Sequence, residues 1–273
     1  APAARTRGRP LEAARSTLAG LIGLLDAAHV KSIVVTGSGG GFVAEALGAQ
    51  RCNEFQAIAR ASGLLHPEAR SIFEIGGETS KFLRVAPDPV SGSLGIVDYS
   101  TNGDCAAGTG GFLDQQALRL KYKVQEIGDI VAQADRSAQI AGRCSVFAKS
   151  DMIHAQQKGF TPPEVLRGLC RAVALNFKSA VVKGRTPEAP VLFVGGVAAN
   201  SAVVGELREV FGLADEQAMI VPAGADCFCA VGAAVIGRDA KTDPRFSAAE
   251  HLDRLTRATQ SGNCYAFATS PPL

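Results

Sequence analysis

Residues 72–85 read Ile72-Phe-Glu-Ile-Gly-Gly-Glu-Thr-Ser-Lys-Phe-Leu-Arg-Val85. The apolar residues on either side of the glycine pair predict two strands, at 72–75 and 81–85, joined by a turn. Such glycines let backbone N–H groups approach a phosphate, and a carboxylate at the end of a strand can hold Mg²⁺ or a water molecule. The same pattern also fits an ordinary β-hairpin whose glycines only satisfy the turn geometry. The hairpin alone leaves both interpretations open.

Strands and helices alternate along the chain, which is typical of α/β architecture. Two segments share the order apolar strand, glycine turn, helix: residues 33–39, Ile-Val-Val-Thr-Gly-Ser-Gly, and residues 192–198, Leu-Phe-Val-Gly-Gly-Val-Ala. This repeat predicts two related lobes that each present a glycine turn to a central cleft. Chance similarity of two strand–helix units is the alternative, and both stay open.

Three further local predictions come from periodicity. Thr161 and Glu164 form a capping box, and apolar residues recur every four positions from Val165 to Val181, which predicts a helix. A strand is predicted near residues 141–147. Residues after 239 lack clear periodicity except around 251–255, so we expect a tail or linker there.

Composition limits the function classes. The chain has 273 residues, 47% of them hydrophobic, which allows one large domain or two lobes. A formal net charge of +2, with no basic stripe among aromatic residues, argues against nucleic-acid binding. No apolar run reaches the roughly 20 residues of a membrane span, and no signal peptide is visible. Seven cysteines without disulfide-framework spacing favour a reducing compartment. We expect a soluble, cytoplasmic protein.

Two cysteines stand in distinctive contexts. Cys105 lies in the run Asn102-Gly-Asp-Cys-Ala-Ala-Gly-Thr-Gly-Gly-Phe112, and Cys144 begins Cys-Ser-Val-Phe-Ala-Lys-Ser150. Thr109 can cap a helix that starts just after Cys105, and a helix N-terminus lowers the pKa of a nearby thiol. A four-iron cluster needs about four cysteine ligands, so a second chain would have to supply the rest. The other five cysteines fit buried, small apolar residues.

The common sequence fingerprints do not support a dinucleotide-binding site or a P-loop in this chain. The dinucleotide pattern G-x-G-x-x-G with a suitable acidic residue and the P-loop pattern G-x-x-x-x-G-K-[ST] are both absent from the sequence. Gly195-Gly196, between a predicted strand and helix, could abut a nucleotide, although many strand–helix turns contain glycine. A nucleotide site would therefore have to be of another type.

Four ordered segments together carry a family resemblance. They are Glu74-Ile-Gly-Gly-Glu-Thr-Ser-Lys81, Asp104-Cys-Ala-Ala-Gly-Thr-Gly-Gly-Phe-Leu-Asp114, Cys144-Ser-Val-Phe-Ala-Lys-Ser150 and Val194-Gly-Gly-Val-Ala-Ala-Asn200. They resemble the activator ATPases of 2-hydroxyacyl-CoA dehydratases and the ATPase subunits of benzoyl-CoA reductases. The resemblance covers residues 33–238 and implies a two-lobed actin-like (ribonuclease H-like) ATPase fold.

The resemblance also implies a function and a site. It implies a homodimer, or a tandem-domain pair, that binds ATP and Mg²⁺ and shares one [4Fe–4S] cluster held by Cys105 and Cys144. ATP turnover would drive an electron to a partner iron–sulfur acyl-CoA dehydratase or reductase. Glu74 and Glu78 would be catalytic. The nucleotide-binding residues would be Gly76, Gly77, Thr79, Ser80, Lys81, Gly195, Gly196 and Asn200.

The chain departs from the family pattern in places. No Asp-x-Gly-Ser/Thr phosphate loop precedes Leu11, so we expect the first lobe to be truncated at its N-terminus. The expected division is 1–68 as the remnant of the first lobe, 69–240 as the second lobe and 241–273 as a tail. Glu74 stands where the family usually has Asp, and Glu78-Thr79 where it has Gln-Asp. Either the chain is a piece of a longer tandem-domain protein, or a natural loss has left a non-hydrolysing docking scaffold.

Overall fold

The computed structural model describes residues 4–6, 8–25, 30–89, 94–103, 106–141, 145–240 and 246–260, with only the backbone described at 145 and 146. These residues belong to two compact units, one formed by 1–61 with 229–273 and the other by 62–228. The predicted division into lobes at 68 and 240 and the predicted truncation of the first lobe stay predictions.

Helices and strands are interspersed along the described residues. The helices are α1 (Pro10–Leu24), α2 (Gly40–Leu47), α3 (Glu54–Leu65), α4 (Gly110–Arg119), α5 (Ile127–Val131), α6 (Ser145–Gln157), α7 (Pro162–Asn176), α8 (Ser201–Phe211), α9 (Phe228–Asp239) and α10 (Ala248–Gln260). The strands are β1 (Val34–Val35), β2 (Gln50–Arg51), β3 (Ser71–Ile75), β4 (Ser80–Pro87), β5 (Leu94–Thr101), β6 (Val191–Val194) and β7 (Met219–Ile220). Short 3₁₀ turns occupy Val124–Glu126, Gly196–Ala199 and Ala225–Cys227.

The unit formed by residues 62–228 contains a five-stranded mixed sheet. Its strand order is β5-β4-β3-β6-β7, with antiparallel β5-β4-β3 and parallel β3-β6-β7 pairs. The predicted hairpin is confirmed, because β3 and β4 pair with Glu74 opposite Lys81 and Ile75 opposite Ser80. The parallel partner of β3 is β6, so the turn after β6 and the hairpin turn lie at the same edge of the sheet.

Helix α7 forms the centre of this unit's core. Its predicted capping box is present, and the Thr161 N–H donates to Glu164 Oε2 at 2.8 Å. All five members of its predicted apolar stripe are buried: Val165, Leu169, Val173, Phe177 and Val181. The stripe continues past α7 through a π-helical turn at Phe177–Val182. Phe73 of β3 packs on Phe177 and on Phe211 of α8, with ring centroids 4.9 and 4.8 Å apart. The aromatic cluster thus fixes the sheet against both helices.

The unit formed by 1–61 and 229–273 is smaller. Strands β1 and β2 form a parallel pair, and Leu11, Leu47 and Leu255 of three helices make a small apolar cluster. Leu255 belongs to α10, so a regular helix lies within the segment that the sequence predicts as a tail. Among the described ranges, no helix is both long enough and apolar enough to cross a membrane.

The strand predicted near residues 141–147 is wrong. Residues 137–141 form no regular element, and α6 begins at Ser145. Ala148, Met152 and Ala155 of α6 are buried at spacings of four and three, the period of a helix with one face against a core. Phe147, which belongs to the predicted strand, is exposed on α6.

Candidate functional site

The hairpin between β3 and β4 is a closed turn with a buried ion pair at its base. Gly76 N–H donates to the carbonyl of Thr79 at 2.9 Å, which closes the turn. Lys81 Nζ lies 2.8 Å from Glu74 Oε2, and the two side chains are only 6% and 7% exposed. The same Nζ donates to Thr79 Oγ1 at 2.7 Å. The carboxylate predicted to be catalytic is therefore held by a lysine of its own hairpin.

The glycine turn after β6 lies against this ion pair. Gly195 has φ +96°, and its N–H donates to the carbonyl of Ala225 at 2.8 Å. A Cβ on Gly195 would stand 2.4 Å from the Ile75 carbonyl oxygen and 3.0 Å from Glu74 Oε1. A Cβ on Gly76 would also stand 3.0 Å from Glu74 Oε1. The fold thus brings the two predicted glycine motifs together around Glu74, where the chain's own packing requires glycine at 195 and leaves little room for a side chain at 76.

The second glycine of each pair has a different environment. No heavy atom of the described residues lies within 4 Å of a Cβ placed on Gly77 or on Gly196, and both residues are exposed. Neither has a positive φ. Their packing within the chain therefore does not require glycine, whereas the close approach of a ligand to the backbone would. The predicted nucleotide contacts of Gly77 and Gly196 are compatible with this open space and stay predictions.

Helix α4 is attached directly to the hairpin turn. Gly110 N–H donates to the Gly76 carbonyl at 2.8 Å, and Gly111 N–H donates to the Gly77 carbonyl at 2.7 Å. These donors belong to the first turn of α4, where N–H groups have no partner within the helix. The sequence analysis did not predict this contact between the start of α4 and the hairpin. Thr109 occupies the N-cap position, but its hydroxyl donates to the Ala106 carbonyl at 2.7 Å and does not cap the helix as predicted.

The remaining predicted site residues occupy different positions around the turn. Glu78 is exposed at the tip of the hairpin, and Thr79 is half-buried. Ser80 is fully buried, and its hydroxyl donates to the Gly108 carbonyl at 2.8 Å. The catalytic role of Glu78 and the nucleotide contacts of Thr79, Ser80 and Lys81 stay predictions.

Asn200 is the N-cap of α8. Its Oδ1 accepts the N–H groups of Ala202 at 3.0 Å and Val203 at 3.3 Å. Its Nδ2 is buried and has no hydrogen-bond partner within the part of the chain that the structure describes. The side chain therefore has a structural function at the start of α8, and its predicted nucleotide contact stays a prediction.

This capping function gives a direct expectation for stability. Asn200→Ala removes the acceptor for two N–H groups, so we expect the free energy of unfolding to fall by about 0.5–2 kcal/mol. Asn200→Asp keeps an acceptor oxygen and should stay within about 0.5 kcal/mol of wild type. Urea unfolding followed by circular dichroism measures both. Equal losses in the two variants would contradict the capping function.

The predicted metal ligands lie outside the described residues, since Cys105 and Cys144 belong to 104–105 and 142–144. Among the residues that are described, no group of three or more His, Cys, Asp or Glu side chains could hold a metal ion. Cys52 and Cys170 are buried, as predicted for ordinary core residues, whereas Cys227 and Cys229 are only half-buried. Burial, with a smaller contribution from the Glu206 carboxylate, raises the pKa of the Cys170 thiol to about 12, so this thiol stays protonated and unreactive near neutral pH.

A mixed sheet with a strand–glycine–strand hairpin facing a second glycine turn defines an actin-like ATPase unit. The chain belongs to the BadF/BadG/BcrA/BcrD ATPase family, whose model matches residues 11–237. The resemblance inferred from the four sequence segments is thereby confirmed.

Characterised relatives agree with this assignment. The 2-hydroxyisocaproyl-CoA dehydratase activator of Clostridioides difficile is 31% identical over 211 residues, which cover 77% of this chain and 74% of that protein. The (R)-2-hydroxyglutaryl-CoA dehydratase activating ATPase of Acidaminococcus fermentans is 30% identical over 200 residues, or 70% of this chain and 72% of that protein. A solved structure of the C. difficile activator of the 2-hydroxyisocaproyl-CoA dehydratase with bound ADPNP is similar with a TM-score of 0.71, at 26% identity over 96% of this chain and 86% of that one. The predicted actin-like fold is confirmed.

Proposed function

We propose that this chain is an ATP-dependent activator that delivers an electron to a partner iron–sulfur acyl-CoA dehydratase or reductase in the cytoplasm. The observation that carries the proposal is the meeting of the hairpin and the Gly195-Gly196 turn around Glu74, with Gly77 and Gly196 left open to a ligand. Family membership supports ATP as that ligand, as does a relative whose solved structure contains ADPNP.

In this proposal the hairpin binds the phosphates and the turn after β6 lies at the adenosine side. The backbone at Gly77 and Gly196 lies against the nucleotide, since no other described residue occupies the space beside either position and glycine permits a close approach. Glu74 is already paired with Lys81, so the exposed Glu78 is the carboxylate better placed to hold Mg²⁺ or to orient the attacking water.

The open glycines provide a test of nucleotide binding. We expect Gly77→Ala and Gly196→Ala each to weaken Mg-ADPNP binding about tenfold or more, because displacing the nucleotide from the backbone loses a contact worth roughly 1–3 kcal/mol, to a phosphate at Gly77 and to the adenosine at Gly196. Calorimetric titration measures the dissociation constants. Gly205→Ala of α8 is the matched control, because Gly205 is also exposed with open space at its Cβ position. Wild-type affinity in both site variants would contradict the proposed site.

The electron-transfer part of the proposal rests on Cys105 and Cys144. Two thiolates per chain fit a [4Fe–4S] cluster only if a second copy or a tandem domain supplies the other two ligands. Such a cluster supplies low-potential, one-electron chemistry when bound. Anaerobic iron and sulfide analysis after reconstitution should give about four irons per two chains, lost in Cys105→Ser and in Cys144→Ser. Cys227→Ser, at a half-buried cysteine, is the control that keeps its iron. A folded dimer without iron would exclude the electron-transfer function.

One observation favours the second candidate, a docking scaffold that binds ATP without hydrolysing it. The Glu74 carboxylate is buried and paired with Lys81, and is therefore poorly placed to activate water. Phosphate release from Mg-ATP by the iron-loaded chain separates the two. Sustained turnover supports the activator, whereas tight nucleotide binding with no phosphate release supports the scaffold.

A further inference from the structure

Ser80, the first residue of β4, contacts the chain on both sides of the Cys105 segment. Its N–H donates to Asn102 Oδ1 at 3.0 Å, and its carbonyl accepts the Asn102 N–H at 3.2 Å. Its buried hydroxyl donates to the Gly108 carbonyl at 2.8 Å. In the sequence, Asn102 precedes and Gly108 follows Cys105 by three residues each. One hairpin residue therefore fixes both flanks of this segment.

The downstream flank has little freedom to adjust by itself. Gly108 has φ +88°, and a Cβ placed on it would lie 3.2 Å from Asn176 Cβ of α7. Beyond it, Gly110 and Gly111 donate to the hairpin carbonyls described above. A segment packed against α7 and hydrogen-bonded to the hairpin responds to a hairpin shift by moving with it, because close-packed interiors transmit strain.

We propose that Ser80 is a positioning residue that couples the nucleotide-binding hairpin to both flanks of the Cys105 segment. Its side chain is fully buried, and its hydroxyl is directed at Gly108. Ser80 thus acts on the flanks through this hydroxyl and through its backbone bonds to Asn102. The coupling to ATP rests on the proposed function, whereas the positioning of the flanks does not.

Hydrogen–deuterium exchange on the full chain, free of nucleotide and iron, tests the positioning. Ser80→Ala should raise amide exchange of residues 106–111 about fivefold to tenfold, because a buried hydrogen bond is lost. Asn102→Ala should do the same for the upstream flank, residues 100–103. Ser80→Thr keeps the hydroxyl and should restore wild-type exchange. Wild-type exchange in both alanine variants would overturn the proposal. If Ser80→Ala does not fold, the exchange of residues 100–103 in Asn102→Ala, a change at a half-buried position, decides whether the flanks depend on their bonds to Ser80.

Repeating the measurement with Mg-ADPNP tests the coupling. In wild type, we expect the nucleotide to slow exchange of the hairpin, residues 75–80, and of residues 106–119. In Ser80→Ala, protection should remain at the hairpin and at α4, whose Gly110 and Gly111 bond to the hairpin directly, and be lost at residues 106–109. Ser80→Thr should recover it, and protection that still reaches 106–109 in Ser80→Ala would overturn the coupling. Absence of any protection in wild type would instead contradict nucleotide binding, and the nucleotide-free comparison would still decide whether Ser80 positions the flanks.

Discussion

Replacing Gly195 by alanine is expected to lower the free energy of unfolding by about 2–6 kcal/mol. Its backbone, at φ +96° and ψ 167°, is in a region that only glycine adopts readily, which accounts for about 1–3 kcal/mol. The new Cβ would also stand 2.4 Å from the Ile75 carbonyl oxygen, and such overpacking costs about another 1–3 kcal/mol. Guanidinium unfolding followed by circular dichroism measures the loss.

The neighbouring glycine is the matched control for this prediction. Gly196→Ala places its Cβ in open space, so this variant should unfold within about 0.5 kcal/mol of wild type while binding Mg-ADPNP more weakly. Although the two positions are adjacent, Gly195→Ala should mainly lower stability, whereas Gly196→Ala should mainly weaken nucleotide binding. Wild-type stability in Gly195→Ala would show that β3 and the turn after β6 do not meet as described.

The second large effect concerns the buried ion pair. Lys81→Met removes the ammonium group that lies 2.8 Å from Glu74 Oε2, and the carboxylate that loses this contact is only 7% exposed. Removing one member of a buried pair costs about 3–5 kcal/mol, because the other charge stays desolvated. Urea unfolding at neutral pH is the measurement.

The double variant identifies the cause of that loss. Lys81→Met with Glu74→Gln removes both charges of this buried pair, so it should recover most of the stability lost by Lys81→Met. A double-mutant cycle gives the coupling between the two side chains directly. If the double variant is as unstable as the sum of the single variants, the loss comes from altered packing at β4 and the ion pair does not contribute.

Local sequence patterns were sufficient for part of the fold. The glycine hairpin and the helix containing Val165 and Leu169 were predictable because their signals lie within one turn or one helical stripe. Near Ser145 the local signal was misleading, since the contiguous Val146-Phe147 suggested a strand. The spacing of Ala148, Met152 and Ala155 carried the helical period but depended on a core that only the tertiary structure supplies.

The sequence predicted which residues belong to the candidate site, but not which of them pack within the chain and which are open to a ligand. Gly76 and Gly77 are adjacent in sequence, yet one is packed against Glu74 and the other is open to a ligand. Asn200 was predicted to bind the nucleotide because it ends the segment 194–200, and in the structure its side chain caps α8. The attachment of Gly110 to the hairpin joins segments that are distant in sequence, and no local pattern specifies which carbonyl a helix N-terminus will contact.

The central claim is that ATP bound at the hairpin acts on a cluster held by Cys105 and Cys144. The most direct measurement is the visible and electron paramagnetic resonance spectrum of the iron-loaded chain, recorded anaerobically with and without Mg-ATP. We predict that Mg-ATP changes the spectrum of wild type and that Gly77→Ala needs about tenfold more nucleotide for the same change. An iron-loaded chain whose spectrum does not change when nucleotide is shown to be bound would contradict the claim.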